Sequence, residues 1–141
     1  MEQTKKGITW GLGQVRKFSQ LDTNALIGLV SPSPSVRQNL RALLLDNHEF
    51  SVSAFTWHEF VSGPLQKQQS DFILSFIEER IIPIDREIAE LAATLYNETG
   101  RKKGSRPDCI IAATAIAKKS YLVTYDQSDF SPFLPFGLQL L

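Results

Sequence analysis

The chain of 141 residues is predicted to form a three-layer α/β/α sandwich around a mostly parallel sheet of about five strands. Two observations carry that prediction. Short strand-like runs alternate with helical periodicities from residue 16 to residue 141, without internal repeats or low complexity. This order places helices on both faces of a parallel sheet. Acids also recur at the junctions: Asp22 and Asp126 follow apolar runs, while Glu59 and Asp108 stand near the start of apolar helices. Ligands of such sheets bind beyond the carboxyl ends of the strands, so these four acids form one candidate site.

Residues 1–15 have no periodic pattern and read as a variable lead-in to a single domain over residues 16–141. Their Gly11 and Gly13 lack the third glycine that a dinucleotide-binding turn requires. Phe18–Leu21 is a short, weakly apolar strand that ends at Asp22, and Ala25–Val30 is an apolar helical run. Pro32 and Pro34 then interrupt the chain. Ser35 and Gln38 have capping-box spacing, ahead of a helical face of Val36, Leu40, Leu43 and Leu44. Phe50–Phe55 alternates with serines as a second strand. Thr56 is the expected cap of the next helix, which carries Trp57, Glu59 and Phe60 and breaks near Gly63 and Pro64. Helical spacing resumes through Leu65, Phe72, Ile73, Phe76 and Ile77.

Arg80–Ile84 is a third strand, and Asp85 caps a helix with Ile88, Leu91, Ala92, Leu95 and Tyr96 on one face. A basic loop spans 101–106, and Pro107 opens a helix, as proline does in a first turn. That helix is apolar on nearly every side from Cys109 to Ala117, which makes it central. Tyr121–Thr124 is a fourth strand and Gly137–Leu141 a fifth.

The formal net charge is zero, so no global field announces a nucleic-acid partner. Cys109 is the sole cysteine, which excludes an intrachain disulfide and a multi-cysteine zinc site; its apolar neighbours mark it as a small buried residue. No run approaches the roughly 20 apolar residues of a membrane span, and no secretory apolar segment follows Lys5 and Lys6. A cytoplasmic location is therefore expected. His48 and His58 have no metal-motif spacing and are assigned structural or surface roles. A metal held by the acids alone would have only oxygen donors, which suits Mg²⁺ or Mn²⁺.

Each acid also has an ordinary structural account. Asp22 is a good N-cap for the run that follows it, and Glu59 completes a capping box with Thr56. Asp126 fits an aspartate-initiated turn, with Asp129 three residues on. Asp85 is fully explained by capping and stays outside the site. Asp108 is harder to explain in this way. Ile111 and Ala112 are its helical neighbours. The helix dipole returns about 0.3–1 kcal/mol, whereas burying a lone carboxylate costs several times more.

Four segments resemble, in order, the motifs of the PIN-domain family and its VapC-type toxin ribonucleases. They are Leu21-Asp22-Thr23-Asn24-Ala25-Leu26-Ile27, Thr56 to Gly63 around Glu59, Pro107-Asp108-Cys109-Ile110-Ile111-Ala112-Ala113-Thr114-Ala115, and Leu122 to Phe130 around Asp126. The third is the most specific, and the resemblance covers residues 21–141.

It implies a Mg²⁺- or Mn²⁺-dependent endoribonuclease on a PIN-like sandwich, hydrolysing RNA with a metal-activated water. Asp22, Glu59, Asp108 and Asp126 would form its acidic quartet, with Asp129 in an auxiliary position. Asp22 and Asp108 would hold the principal cation; Glu59 and Asp126 would bind a second ion or orient water. Thr23, Asn24 and Thr124 match positions that brace the site. Tyr125 departs from the pattern, standing where a basic residue is common. Arg101, Lys102, Lys103 and Arg106 would guide RNA phosphates, the alternative being a solvated loop. A small antitoxin and a homodimer are implied as well.

Two other classes compete. A catalytically weak PIN module would bind RNA or protein, but it has no need of four mutually repelling charges. A haloacid-dehalogenase-like phosphatase would use Asp22 as nucleophile, but the expected second aspartate is Asn24 here.

Overall fold

The computed structural model describes residues 15–141. The reading of residues 1–14 lies outside them. The strands are β1 (Lys17–Leu21), β2 (His48–Ser53), β3 (Ile81–Ile82), β4 (Tyr121–Val123) and β5 (Gln139–Leu140). They form one sheet in the order β3-β2-β1-β4-β5, with every pair parallel. The helices are α1 (Thr23–Val30), α2 (Pro34–Leu45), α3 (Ala54–Val61), α4 (Lys67–Phe76), α5 (Arg86–Glu98), α6 (Arg106–Ala117) and the single turn α7 (Gln127–Phe130).

Two cores lie on opposite faces of the sheet. Leu21, Leu26, Phe50, Val52, Phe60, Ile73 and Val123 fill the first, under α1 to α4. Ile88, Leu95, Ile111, Leu122, Phe130 and Phe133 fill the second, under α5 and α6. The alternation of a strand appears directly in β4, where Leu122 and Val123 enter different cores. The predicted three-layer α/β/α sandwich is thus the observed architecture.

Several local expectations are corrected. The helix after the Pro32/Pro34 break starts at Pro34 with Ser33 as its N-cap, so Ser35 and Gln38 form no capping box; proline in the first turn lacks only an amide that would be unpaired anyway. β2 runs from His48 and stops at Ser53, leaving Phe55 in α3. Ser53, not Thr56, caps α3: its hydroxyl accepts from the Thr56 amide at 2.9 Å. Thr56 is fully buried within the first turn.

The strands predicted at 80–84, 121–124 and 137–141 are shorter than expected. β3 and β5 are edge strands that pair on one side only, while β4 lies between β1 and β5 and ends at Val123. Asp85 caps α5 as expected, accepting from the Ile88 amide at 2.9 Å. Beyond β4, α7 and a 3₁₀ turn over Ser131–Phe136 occupy a segment where no element was predicted.

β1 is weakly apolar because it buries a polar pair inside the protein. Ser19 Oγ lies 2.6 Å from His48 Nδ1, and both side chains are buried. Gln20 donates to the Ile111 carbonyl of α6 at 2.9 Å. These bonds fix the central strand to β2 and to the central helix, at the cost of an unpartnered Gln20 Oε1. Gly28 lets α1 approach α2: a Cβ there would lie 2.6 Å from Val36 Cγ2.

Candidate functional site

The site starts from parallel pairing. β1 and β4 lie side by side, so the residues that follow them, Asp22 and Thr124, emerge together at the carboxyl edge of the sheet. The Asp22 amide donates to the Val123 carbonyl at 3.0 Å, extending that ladder by one bond. The Asp22 carboxylate then takes two donors: the Thr23 amide at 2.7 Å and the buried Thr124 hydroxyl at 2.9 Å. Asp22 is therefore the N-cap of α1 and a member of the site at once.

Thr124 and Asn24 carry the arrangement toward Asp126. The Asp126 amide donates to the Thr124 hydroxyl oxygen at 3.1 Å. Asn24 Nδ2 donates to the Asp126 carboxylate at 2.9 Å, while Asn24 Oδ1 accepts from the Tyr125 amide at 3.2 Å. Asp126 precedes α7 without using its side chain as a cap, so its carboxylate is left to Asn24 and to the site. Glu59, on the second turn of α3, accepts from the Thr23 hydroxyl at 2.8 Å. The capping-box account of Glu59 is thereby replaced by a bond to the residue that follows Asp22.

Asp108 sits in the first turn of α6. Its carboxyl is pushed up from 3.8 to about 6, first by burial and then by the negative charges of Asp129, Asp22, Glu59 and Asp126. Asp22 is also raised. Burial outweighs its bonds from Thr23 and Thr124, and Glu59 and Asp126 add repulsion. The five acids thus share one electrostatic neighbourhood. Within it, Asp129 is the strongest acidic neighbour of Asp108, whereas Asp126 is linked to Asp22 through Thr124.

Among the described residues, no three His, Cys, Asp or Glu side chains form a ready-made metal cage. The donor set nevertheless suits a hard cation, because it is all oxygen. Mg²⁺ in particular is held by one or two carboxylates, keeping waters and substrate oxygens as its other ligands. Asp22 and Asp108 are the two acids raised chiefly by burial, with repulsion from neighbouring carboxylates added, and a bound cation would relieve both effects.

The structure divides the basic loop. Lys102 and Lys103 line a 290 Å³ pocket together with Asp108, Asp129 and Ser128. Arg101 and Arg106 point elsewhere, their guanidinium carbons 5.0 and 4.5 Å from the centroid of the Tyr96 ring. That ring was read from the sequence only as part of the α5 apolar face. Tyr125 is partly exposed, and its hydroxyl accepts from Asn39 at 3.3 Å. Cys109 is buried, with its thiol pushed up by burial. His48 is buried and structural, and His58 is exposed.

A parallel α/β/α sheet with acids gathered at its carboxyl edge defines a class of proteins with an oxygen-donor acidic site. The PIN domain profile matches residues 20–131, and the chain belongs to that family. A VapC ribonuclease of Pyrococcus furiosus is 41% identical over 64 residues, which is 43% of this chain. The match spans less than half of that relative, 42% of its length. A toxin–antitoxin complex from Klebsiella pneumoniae includes a similar chain, with a TM-score of 0.66 and 32% identity over 80% of this chain and 90% of that one. VapBC2 from Rickettsia felis, bound to a DNA fragment from its promoter, gives a TM-score of 0.69. It covers 88% of this chain and 97% of that one at 24% identity, a likeness of fold. Among the described residues, no helix is long and apolar enough to cross a membrane.

Proposed function

We propose that the chain is a Mg²⁺- or Mn²⁺-dependent endoribonuclease, the toxin of a toxin–antitoxin pair. The observation that carries this reading is Asp108, half-buried with its carboxyl at about 6 and four other acids around it. Such a cluster destabilises an empty protein and is relieved by a cation.

Asp22 and Asp108 would hold the principal ion, with Glu59, Asp126 and Asp129 at its margin. When bound, the ion supplies charge neutralisation at a scissile phosphate and lowers the pKa of water. The chain's own residues supply orientation. Thr124 holds one oxygen of Asp22, Thr23 holds Glu59, and Asn24 holds Asp126. The carboxylates of Asp22, Glu59 and Asp126 are thus fixed before a substrate arrives, as a preorganised site requires. Lys102 and Lys103, across the pocket from Asp108 and Asp129, would draw a phosphate backbone toward the acids.

The partner reading follows the similar chain found in a toxin–antitoxin complex from Klebsiella pneumoniae. A small antitoxin would keep the site inactive, and the active form would be a homodimer located in the cytoplasm.

Incubation of the protein with defined RNAs and Mg²⁺ or Mn²⁺, followed by mapping of the cleaved ends, tests the activity. Cleavage should require the divalent ion and disappear in Asp108→Asn. Wild-type-level cleavage by that variant would sink the assignment.

A further inference from the structure

We propose that the cleft between α5 and α6 is a second RNA subsite, holding one nucleotide beside the strand segment at the acidic cluster. The inference rests on the reading of the chain as an RNA-cleaving protein. The cleft has a volume of 410 Å³ and a floor of Ala89, Ala93 and Ile110. Tyr96, Arg101 and Arg106 form its polar wall. Both guanidinium carbons lie within 5.0 Å of the Tyr96 ring centroid, so two positive charges share one wall.

Among the described residues, neither arginine is tied to an acid. Several other described cations also lack an ion pair, but only these two, among the described residues, stack on an aromatic ring in the cleft. Arg101 donates only to Asn97 Oδ1. The unpaired cations face an apolar floor and an aromatic ring. That combination is complementary to a nucleobase with its phosphate, since bases stack on aromatic rings and guanidinium planes while the charges meet the backbone.

Continuity with the acidic site gives the cleft its strand. Cys109 lines the cleft, and the adjacent Asp108 lines the pocket of Lys102 and Lys103. The 99–106 loop therefore presents lysines to one side and arginines to the other. A single strand crossing that loop would meet the acids first and the Tyr96 cleft next.

The test uses the full-length Asp108→Asn protein, so that bound RNA stays intact. Fluorescence anisotropy measures its affinity for a labelled single-stranded RNA and for copies with one abasic nucleotide at successive positions. One position flanking the cleavage point should show about tenfold weaker binding when abasic, the scale of one base stacked on an aromatic. Adding Arg101→Ala and Arg106→Ala should abolish that position-specific loss. Lysine at both positions should recover salt-sensitive affinity without recovering the loss, because an ammonium lacks the planar face.

An abasic loss that persists in the double alanine variant overturns the subsite, as does its absence from the parent protein. Conversion of a dimer to a monomer by the alanines, at unchanged RNA affinity, also overturns it and assigns the cleft to a second copy of this chain. Wild-type cleavage with Mg²⁺ or Mn²⁺ is scored separately. Its failure removes the nuclease reading, whereas robust cleavage with no abasic effect removes the subsite alone.

Discussion

Replacing Asp108 with asparagine should stabilise the metal-free protein at neutral pH. The carboxyl of Asp108 lies at about 6 in the folded chain against an ordinary 3.8. Full shelter would make that gap worth about 3 kcal/mol of destabilisation once the group ionises. The side chain is only half-buried, and solvent screening reduces the figure to about 1–1.5 kcal/mol. The sign follows from proton linkage: between pH 3.8 and about 6 the folded chain binds more protons at this site than the unfolded one. Its contribution is therefore fully present below pH 3.8 and is lost as pH rises through 6. The substituted amide cannot ionise, so the variant should match wild type near pH 4 and exceed it at pH 8. For a chain of this size the excess corresponds to roughly 3–6 °C in Tm. Thermal unfolding in chelator at both pH values measures it. A variant no more stable than wild type at pH 8 would refute the repulsion argument. Adding Mn²⁺ should reverse the order, by raising the wild-type Tm while leaving the variant unchanged.

Other perturbations test the scaffold beneath the site. Thr124→Val removes the donor to Asp22 and the acceptor of the Asp126 amide; the unmade bonds should cost about 1–3 kcal/mol. An unchanged denaturation midpoint in urea would mean that Thr124 is not the hinge of the cluster. Gly28→Ala gains up to about 1 kcal/mol in helix propensity but drives a Cβ to 2.9 Å from the Val36 Cβ. That atom cannot rotate away, so the clash should dominate and the Tm should fall; a higher Tm would show that α1 and α2 separate freely. Burial pushes the His48 imidazole below 6.5. An NMR titration should place its midpoint under that value, and the residue should weaken the fold as pH falls below 6.5, because the unfolded chain then binds the proton more readily. A midpoint above 6.5 would contradict its burial as a neutral ring.

What could be read from the sequence followed local chemistry. Short apolar runs bounded by breaks, between helical periodicities, located all five strands, as fits strands buried on both faces. The acids were visible through their junction positions, and Asp108 stood out because its helix offered it no partner. Caps were less legible: Thr56 has the residue type of a cap, but tertiary packing buries it and leaves the task to Ser53. The bond from Thr23 to Glu59, and the division of the basic loop between Asp108 and Tyr96, depend on folded geometry between distant segments. No spacing rule encodes them. Gln20 and Ser19 weakened the apolar signal of β1 for a structural reason: Ser19 bonds to His48 in the neighbouring strand, and Gln20 to the α6 helix.

The site's dependence on both halves of the chain has a consequence during synthesis. Asn24 and Asp126, which meet in a single hydrogen bond, are 102 residues apart. At about 5–20 residues per second, a ribosome needs roughly 5–20 s to translate from one to the other. During that interval the nascent chain gains Glu59 and then Asp108 but lacks Thr124, Asp126 and Asp129. β1 then has no β4 beside it, and Asp22 has no hydroxyl to receive. The acidic centre is complete only once β4 and α7 have been translated, so chains that stop before Thr124 lack the hydroxyl that orients Asp22.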